Sequence, residues 1–231
     1  LNAYDNYNSG TSIASYDNNA KISADTVYLY ARGDIGENAP INLHTNYLNA
    51  SADAYGPHNG DVYLTNDQAV TIIGNNYASG TWSLVAQGDI TIGEGNSQHG
   101  RISADYAINL EAQNGGGIYD YNAWYDGYNN YNTLVAPNIT LTADSHIGNW
   151  DSGVLAISTN NLVATSYGGN IDIARHAVEF RGQPSLKHLH DVFRNLRQVH
   201  VLDSFRERDL AVRYLQLQAG KVRVELLVGR I

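Results

Sequence analysis

Cysteine and methionine are both absent from the 231 residues. Without cysteine there is no disulfide framework and no thiolate metal site, although this leaves the compartment open. The lack of methionine and a leucine at position 1 make the chain read as a piece processed out of something longer. Charged side chains are scarce at 16%, against roughly 25% in ordinary soluble domains. Solvent-facing helices draw on Glu, Lys and Arg, so the shortage argues against them. No apolar run approaches the roughly 18 residues of a membrane span, and no basic, apolar, small-residue leader pattern is present. Basic residues are scarcest of all. Residues 1–174 hold three (Lys21, Arg32, Arg101) against 17 acidic ones, within a net charge of -9. Such a body argues against nucleic acid, whose phosphates need clustered Lys and Arg. Only residues 175–231, with 11 basic and six acidic side chains, reverse the balance.

What is abundant is Gly, Asn, Ser, Thr and Tyr, arranged in a phrase that recurs. Lys21–Ala31 reads K-I-S-A-D-T-V-Y-L-Y-A and Arg101–Ala112 reads R-I-S-A-D-Y-A-I-N-L-E-A. Looser copies run through Gly60–Leu64, Trp82–Ile92, Ile139–Ala143 and Gly169–Ile173. A two-residue hydrophobic period, broken by Gly, Asn and Asp and then restarted, means short strands joined by tight corners. Recurrence of the unit predicts a stacked parallel solenoid, a β-helix of roughly 20–25 residues per turn, forming one elongated all-β domain. Val27, Leu29 and Ala31 are expected to face inward, as are Ile41 and Leu43, Leu48 with Ala50 and Ala52, and Val62 with Leu64. Val70, Ile72 and Ile73 are expected to precede a turn at Gly74-Asn75-Asn76. Small Ala at inward positions suits walls about 10 Å apart, where a large residue must meet a small one. A longer period aligns Leu29–Gly36 with Leu141–Gly148, and Ile41, Leu43, Leu48 and Ala50 with Leu155, Ile157, Leu162 and Ala164, at an offset near 112 residues.

Gly33-Asp34-Ile35-Gly36 with Pro40-Ile41 and Leu43, then Leu48-x-Ala50-x-Ala52, then Gly60–Leu64, resembles the repeat region of filamentous haemagglutinin-like large exoproteins over about residues 22–180. These are secreted bacterial adhesins of two-partner secretion systems. The resemblance implies a right-handed parallel β-helix, export in unfolded form through an outer-membrane transporter, and display at the extracellular bacterial cell surface. The side loops of such a display segment are the expected contacts for host glycans or cell-surface proteins, and no cofactor is expected.

Several motifs are candidates for chemistry. Arg32-Gly33-Asp34 is an integrin-type tripeptide, yet Gly-Asp recurs at Gly60 and Gly88 as an ordinary corner. Residues 119–131 interrupt the strands with Tyr119, Tyr121, Trp124, Tyr125, Tyr128 and Tyr131. Flat amphipathic rings lose little rotamer entropy on binding, so these six are the expected contact residues. The bland alternative is a loop that covers the solenoid with its own aromatics. Parallel β-helices also carry polysaccharide lyases and hydrolases, for which Asp105, Glu111, Asp120 and Asp126 are the nearby carboxylates and Arg101 the nearby base. An enzyme of that kind needs a concave sheet face lined by two carboxylates and a Lys or Arg. A wall of Thr, Asn and Ser favours a stalk. The expectation is that no residue is catalytic. His188 and His190 offer half a metal site at most, so no metal is expected. Asn49-Ala50-Ser51 and Asn138-Ile139-Thr140 match the N-glycosylation acceptor, a short and permissive pattern.

The expected organisation is a partial first rung or irregular segment over 1–21, the repeat region over 22–180, and a basic segment over 181–231. The last reads as degraded rungs, with Tyr214–Val224 repeating the strand-Gly-strand phrase, as a helical cap near 186–197, or as foreign sequence joined near Arg175.

Overall fold

The computed structural model describes residues 2–3, 11–17, 19–54, 59–94, 99–122, 133–148, 154–175, 198–203, 217–218 and 221–222. Among these the chain is all-β, without a helix, and winds into a parallel β-helix of about five turns. Two parallel sheets enclose the core. One has eight strands: Lys21–Ser23, Ile41–His44, Val62–Asn66, Thr81–Ala86, Ala107–Ala112, Asn138–Ala143, Asn161–Ser166 and Gln198–Asp203, each stacked on the one before. Inward positions form continuous columns, as Val62–Trp82–Ile108–Ile139–Leu162 and Leu64–Leu84–Leu110–Leu141–Ala164. Every one of these side chains is buried. Like stacks on like because a parallel ladder repeats every rung at about 4.8 Å and keeps side-chain alternation in phase.

The eleven-stranded sheet starts as a single wall, Thr26–Ala31 under Tyr47–Ala52. It divides in the next coil. Tyr47 and Leu48 pair with Thr71 and Ile72, whereas Ser51 and Ala52 pair with Tyr77 and Ala78. From there on the sheet has a short limb (Val70–Ile72, Ile90–Ile92, Ile118–Asp120) and a long limb (Gly74–Ala78, Gly100–Ala104, Leu134–Val135, Leu155–Ser158, Ile173–Arg175). Between the two limbs lies a corner, and the strands that flank it are separated by residue 73 in one coil, by 93–99 in the next and by 121–133 in the third. Coil length therefore varies, and the step from Ile108 to Ile139 is longer than the steps on either side of it, Trp82 to Ile108 and Ile139 to Leu162.

The expected inward sets are buried without exception: Val27, Leu29 and Ala31; Ile41 and Leu43; Leu48, Ala50 and Ala52; Val62 and Leu64. Large does meet small, since the Trp82 indole reaches across the core to the Ala50 carbonyl at 3.1 Å. The Gly74-Asn75-Asn76 turn is corrected. Only Gly74, at φ +64°, turns, and Gly74–Ala78 is a strand with Asn76 facing inward and 1% exposed. The 112-residue alignment also changes meaning. Leu29–Ala31 lie in the dividing sheet, while Leu141–Ala143 lie in the eight-stranded one. Ile41 and Leu43 against Leu155 and Ile157 make the opposite exchange. The repeated phrase thus encodes a strand and its corner, and either sheet accepts it.

At the ends, Asn2–Ala3 pairs with Tyr30–Ala31 and Ile13 bridges Ile35. Gln198–Asp203 adds a parallel rung on Asn161–Ser166. Leu217–Gln218 and Lys221–Val222, read from sequence as a possible solenoid rung, instead pair antiparallel. The suggested helix at 186–197 lies outside the described residues. No helix among the described residues is long and apolar enough to cross a membrane.

Candidate functional site: the dividing corner and the outer walls

Dividing a sheet leaves backbone groups without ladder partners, and buried ones must be satisfied. Ala50 sits at the division. Its N–H donates to Asn76 Oδ1 at 2.7 Å and its carbonyl accepts the Trp82 indole. The Asn76 amide nitrogen reaches the carbonyls of Ile73, Gly74 and Arg101 at 3.0–3.1 Å. Asn49 supports the same turn from outside, donating to Ile73 at 2.7 Å and Asn75 at 3.0 Å.

Two coils further on the flanks of the corner are furthest apart in sequence, at Asn122 and Thr133. Both ends are held by Asp120, which occupies the inward column above Ile72 and Ile92 and is fully buried. Asp120 Oδ1 accepts the Asn122 N–H at 2.9 Å, and Oδ2 accepts the Thr133 hydroxyl. The Ala156 N–H approaches the same oxygen at 3.4 Å, tying in the next coil. Asn122 in turn brackets Gly100, accepting its N–H at 3.0 Å and donating to its carbonyl at 2.7 Å. Burial raises the Asp120 carboxyl above the ordinary carboxylate range, and the bonds from Thr133, Ala156 and Asn122 offset this in part. Asp120, Asn122 and Thr133 are all at most 6% exposed, so the two flanks of the corner are joined by a buried polar mount.

Of the expected contact residues, Tyr119 lies on the short limb, outward and half-buried, in the column Tyr47–Thr71–Thr91–Tyr119 with its phenol over Gly117. Tyr121 is 46% exposed where the chain departs. Trp124, Tyr125, Tyr128 and Tyr131 lie outside the described residues. Sequence reasoning assigns Asp120 only a candidate acid or base role and misses the mount. Its sequence signal is an Asp and an Asn two residues apart at the point where apolar alternation stops.

The carboxylates do not converge. Asp120 points into the core, Asp105 stands at the end of the long limb, and Glu111 lies on the eight-stranded sheet, bonded to Gln113 at 2.6 Å. Asp126 lies outside the described residues, as do His188 and His190. Among the described residues no three His, Asp or Glu side chains are grouped to hold a metal. Asp34 of the Arg-Gly-Asp tripeptide accepts the Asp61 N–H at 2.8 Å, and Asp61 accepts the Thr81 N–H at 2.5 Å. Gly-Asp is a corner ladder at these positions. Both glycosylation-type asparagines are engaged, Asn49 as above and Asn138 with the Tyr106 carbonyl at 3.0 Å and Asn161 at 2.8 Å.

On the eight-stranded sheet one outward column runs Asn42–Thr65–Val85–Glu111–Thr142–Thr165 and another Tyr63–Ser83–Asn109–Thr140–Val163. Glu111 is the one carboxylate in these columns. At the start of this wall Asp67 ties Lys21 and, at 2.6 Å, His44 across successive rungs. The Lys21 and then the His44 bonds hold the exposed Asp67 carboxyl below its usual range.

No family model, curated protein or solved structure matches this chain. The functional reading therefore rests on the walls and the corner themselves.

Proposed function

We propose that the chain is a rigid, non-catalytic segment of a secreted bacterial adhesin of the filamentous haemagglutinin-like kind, which holds an aromatic excursion toward host glycans or cell-surface proteins. The observation that carries this reading is the broad outer wall, whose two outward columns from Asn42 and Tyr63 onward are built of Thr, Asn, Ser, Tyr and Val with Glu111 as their one carboxylate. The Lys21–Asp67–His44 tie closes on itself at the start of the wall. A lyase or glycosidase groove would need paired carboxyls about 5–9.5 Å apart. A wall of short polar side chains offers solvation and stacking regularity instead. The buried mount at Asp120 fits display, because binding residues on a pre-organised base lose less entropy when they engage.

The test compares the full chain with a Trp124→Ala, Tyr125→Ala, Tyr128→Ala variant on a glycan array. Loop-dependent binding is expected, and undiminished binding by the variant removes the excursion as the contact surface. Parallel incubation with acidic and neutral polysaccharides should yield no unsaturated or reducing ends above a buffer control. Turnover would replace the stalk reading with the carbohydrate-active enzyme reading.

A further inference from the structure

A recess lies at the other end of the long limb. It is open, about 350 Å³ in volume, and spans three coils, from Asp105 through Val135 and Pro137 to Ser158 and Asn160. Its origin is chemical. Pairing between Gly100–Ala104 and Leu134–Val135 ends at Ser103–Val135, and Pro137 has no N–H with which to continue it. The Ala136 N–H turns instead to the Ser158 carbonyl at 3.1 Å, and the Pro137 carbonyl accepts the N–H groups of Asn160 and Asn161 at 3.1 and 3.0 Å. This corner is thus drawn toward the coil after it and parts from the coil before it.

The side chains around the gap differ from those at other corners. Asp34, Asp61 and Asp89 spend carboxylate oxygens on backbone N–H groups. Asp105 takes only the Tyr77 hydroxyl, at 2.8 Å on Oδ2, which leaves Oδ1 without a partner among the described residues. The Ser158 hydroxyl and the Asn160 side-chain amide likewise have no hydrogen bond among the described residues. Val135 adds an apolar patch, and Tyr106, next in the chain to Asp105, is 64% exposed.

We infer that this recess is a subsite for one pyranose ring of a neutral glycan. A carboxylate oxygen accepts from vicinal hydroxyls, while an amide and a hydroxyl both donate and accept, which is the pattern a polyol ring needs. No Lys or Arg lines the recess, so phosphorylated and acidic sugars meet an uncompensated carboxylate. One carboxylate is too few for a calcium site, which takes six to eight oxygens. The inference deepens the adhesin reading and relies on it only for where the sugar comes from.

The test is an NMR titration of the full chain with neutral methyl pyranosides of gluco, galacto, manno and N-acetylglucosamine type, and with sialic acid as the acidic control. Saturable shifts at Asp105, Ser158 and Asn160 are expected, with a dissociation constant of about 1–10 mM, as for a small open site. Asp105→Asn, which keeps the side-chain shape, and Asn160→Ala, at an exposed position, should each weaken binding about tenfold. Absence of saturable shifts up to about 50 mM, indifference to both substitutions, or equal binding of sialic acid would overturn the subsite. The triple aromatic variant should titrate as the parent does. Loop-dependent array binding without pyranoside shifts would sink the subsite alone, and the reverse result would sink the aromatic contact surface alone.

Discussion

Replacing Asp120 tests the mount directly. In Asp120→Ala the Asn122 N–H and the Thr133 hydroxyl, both buried, lose their acceptor, and the longer contact from Ala156 disappears. A buried polar group left unpaired costs about 1–3 kcal/mol. Two such groups and a weak third give an expected loss of about 3 kcal/mol, a large share of a typical 5–15 kcal/mol stability. Asp120→Asn keeps an acceptor oxygen and the side-chain volume, so it should cost about 1 kcal/mol. The two variants also separate charge from shape. Burial raises the folded-state pKa of Asp120 above its ordinary value of 3.8. Below 3.8 the proton is held in both states, and the stabilising contribution is complete. As pH rises, the unfolded chain releases the proton first, and the contribution falls until the folded carboxyl has ionised as well. Urea unfolding from about pH 3 to pH 8, taken as parent minus Asp120→Asn, isolates this term from the other carboxylates. A flat difference across that range, or a cost of Asp120→Ala below about 0.5 kcal/mol, would refute the account of the mount.

Three further outcomes follow from contacts described above or beside them. Gly36 has φ +85°, and a Cβ there would collide with the Tyr63 carbonyl, whereas Gly115, at φ +77°, has nothing within 4 Å. Gly115→Ala should therefore cost only the left-handed penalty of about 1–2 kcal/mol and Gly36→Ala clearly more; equal losses in urea unfolding would contradict the close-packed coil. Asn76→Ala strands the Ala50 N–H and three carbonyls, so a loss of about 2–4 kcal/mol and faster hydrogen exchange at Ala50 are expected, and unchanged exchange would count against that clamp. The ionic tie through Asp67 contributes stability above the ordinary carboxylate pKa and loses it as pH falls through the lowered folded value. Its partners are exposed, so Asp67→Asn should lower the melting temperature slightly at low salt and not at about 1 M salt; a difference that survives high salt would show another cause.

Strand positions were legible because alternation reports directly on burial. Leu29, Leu48, Leu64 and Ile108 announce themselves as inward, and the solenoid follows from their recurrence. Polar inward residues were not legible. Asn76 occupies a core column, but hydrophobic alternation cannot mark it, and its Asn-Asn context signals a turn. Asp120 escaped for the same reason, since a carboxylate is almost never fully buried and its partners Thr133 and Ala156 lie in later segments. The sheet assignment of each phrase was hidden too. Ile22-Ser23-Ala24-Asp25 begins in the eight-stranded sheet, and Ile102-Ser103-Ala104-Asp105 lies in the dividing one. Both are a strand running into an Asp corner, and local sequence carries no more than that. The recess beside Pro137 depends on a missing N–H acting between coils, so only stacking reveals it.

The dividing corner has a consequence for how such a chain tolerates change. Between Leu48 and Ser51 the corner takes two residues, Asn49 and Ala50, and three coils later residues 121–133 separate the flanking strands, while the ladders on either side continue unchanged. Closing a flexible excursion costs only about 0.6 kcal/mol more for each doubling of its length. New sequence inserted there leaves the neighbouring rungs in phase, whereas one residue gained inside Leu64–Asn66 or Leu110–Ala112 would turn a whole column to solvent. Variation in this molecule is channelled to one edge, and relatives that differ in what they touch would be expected to differ there first.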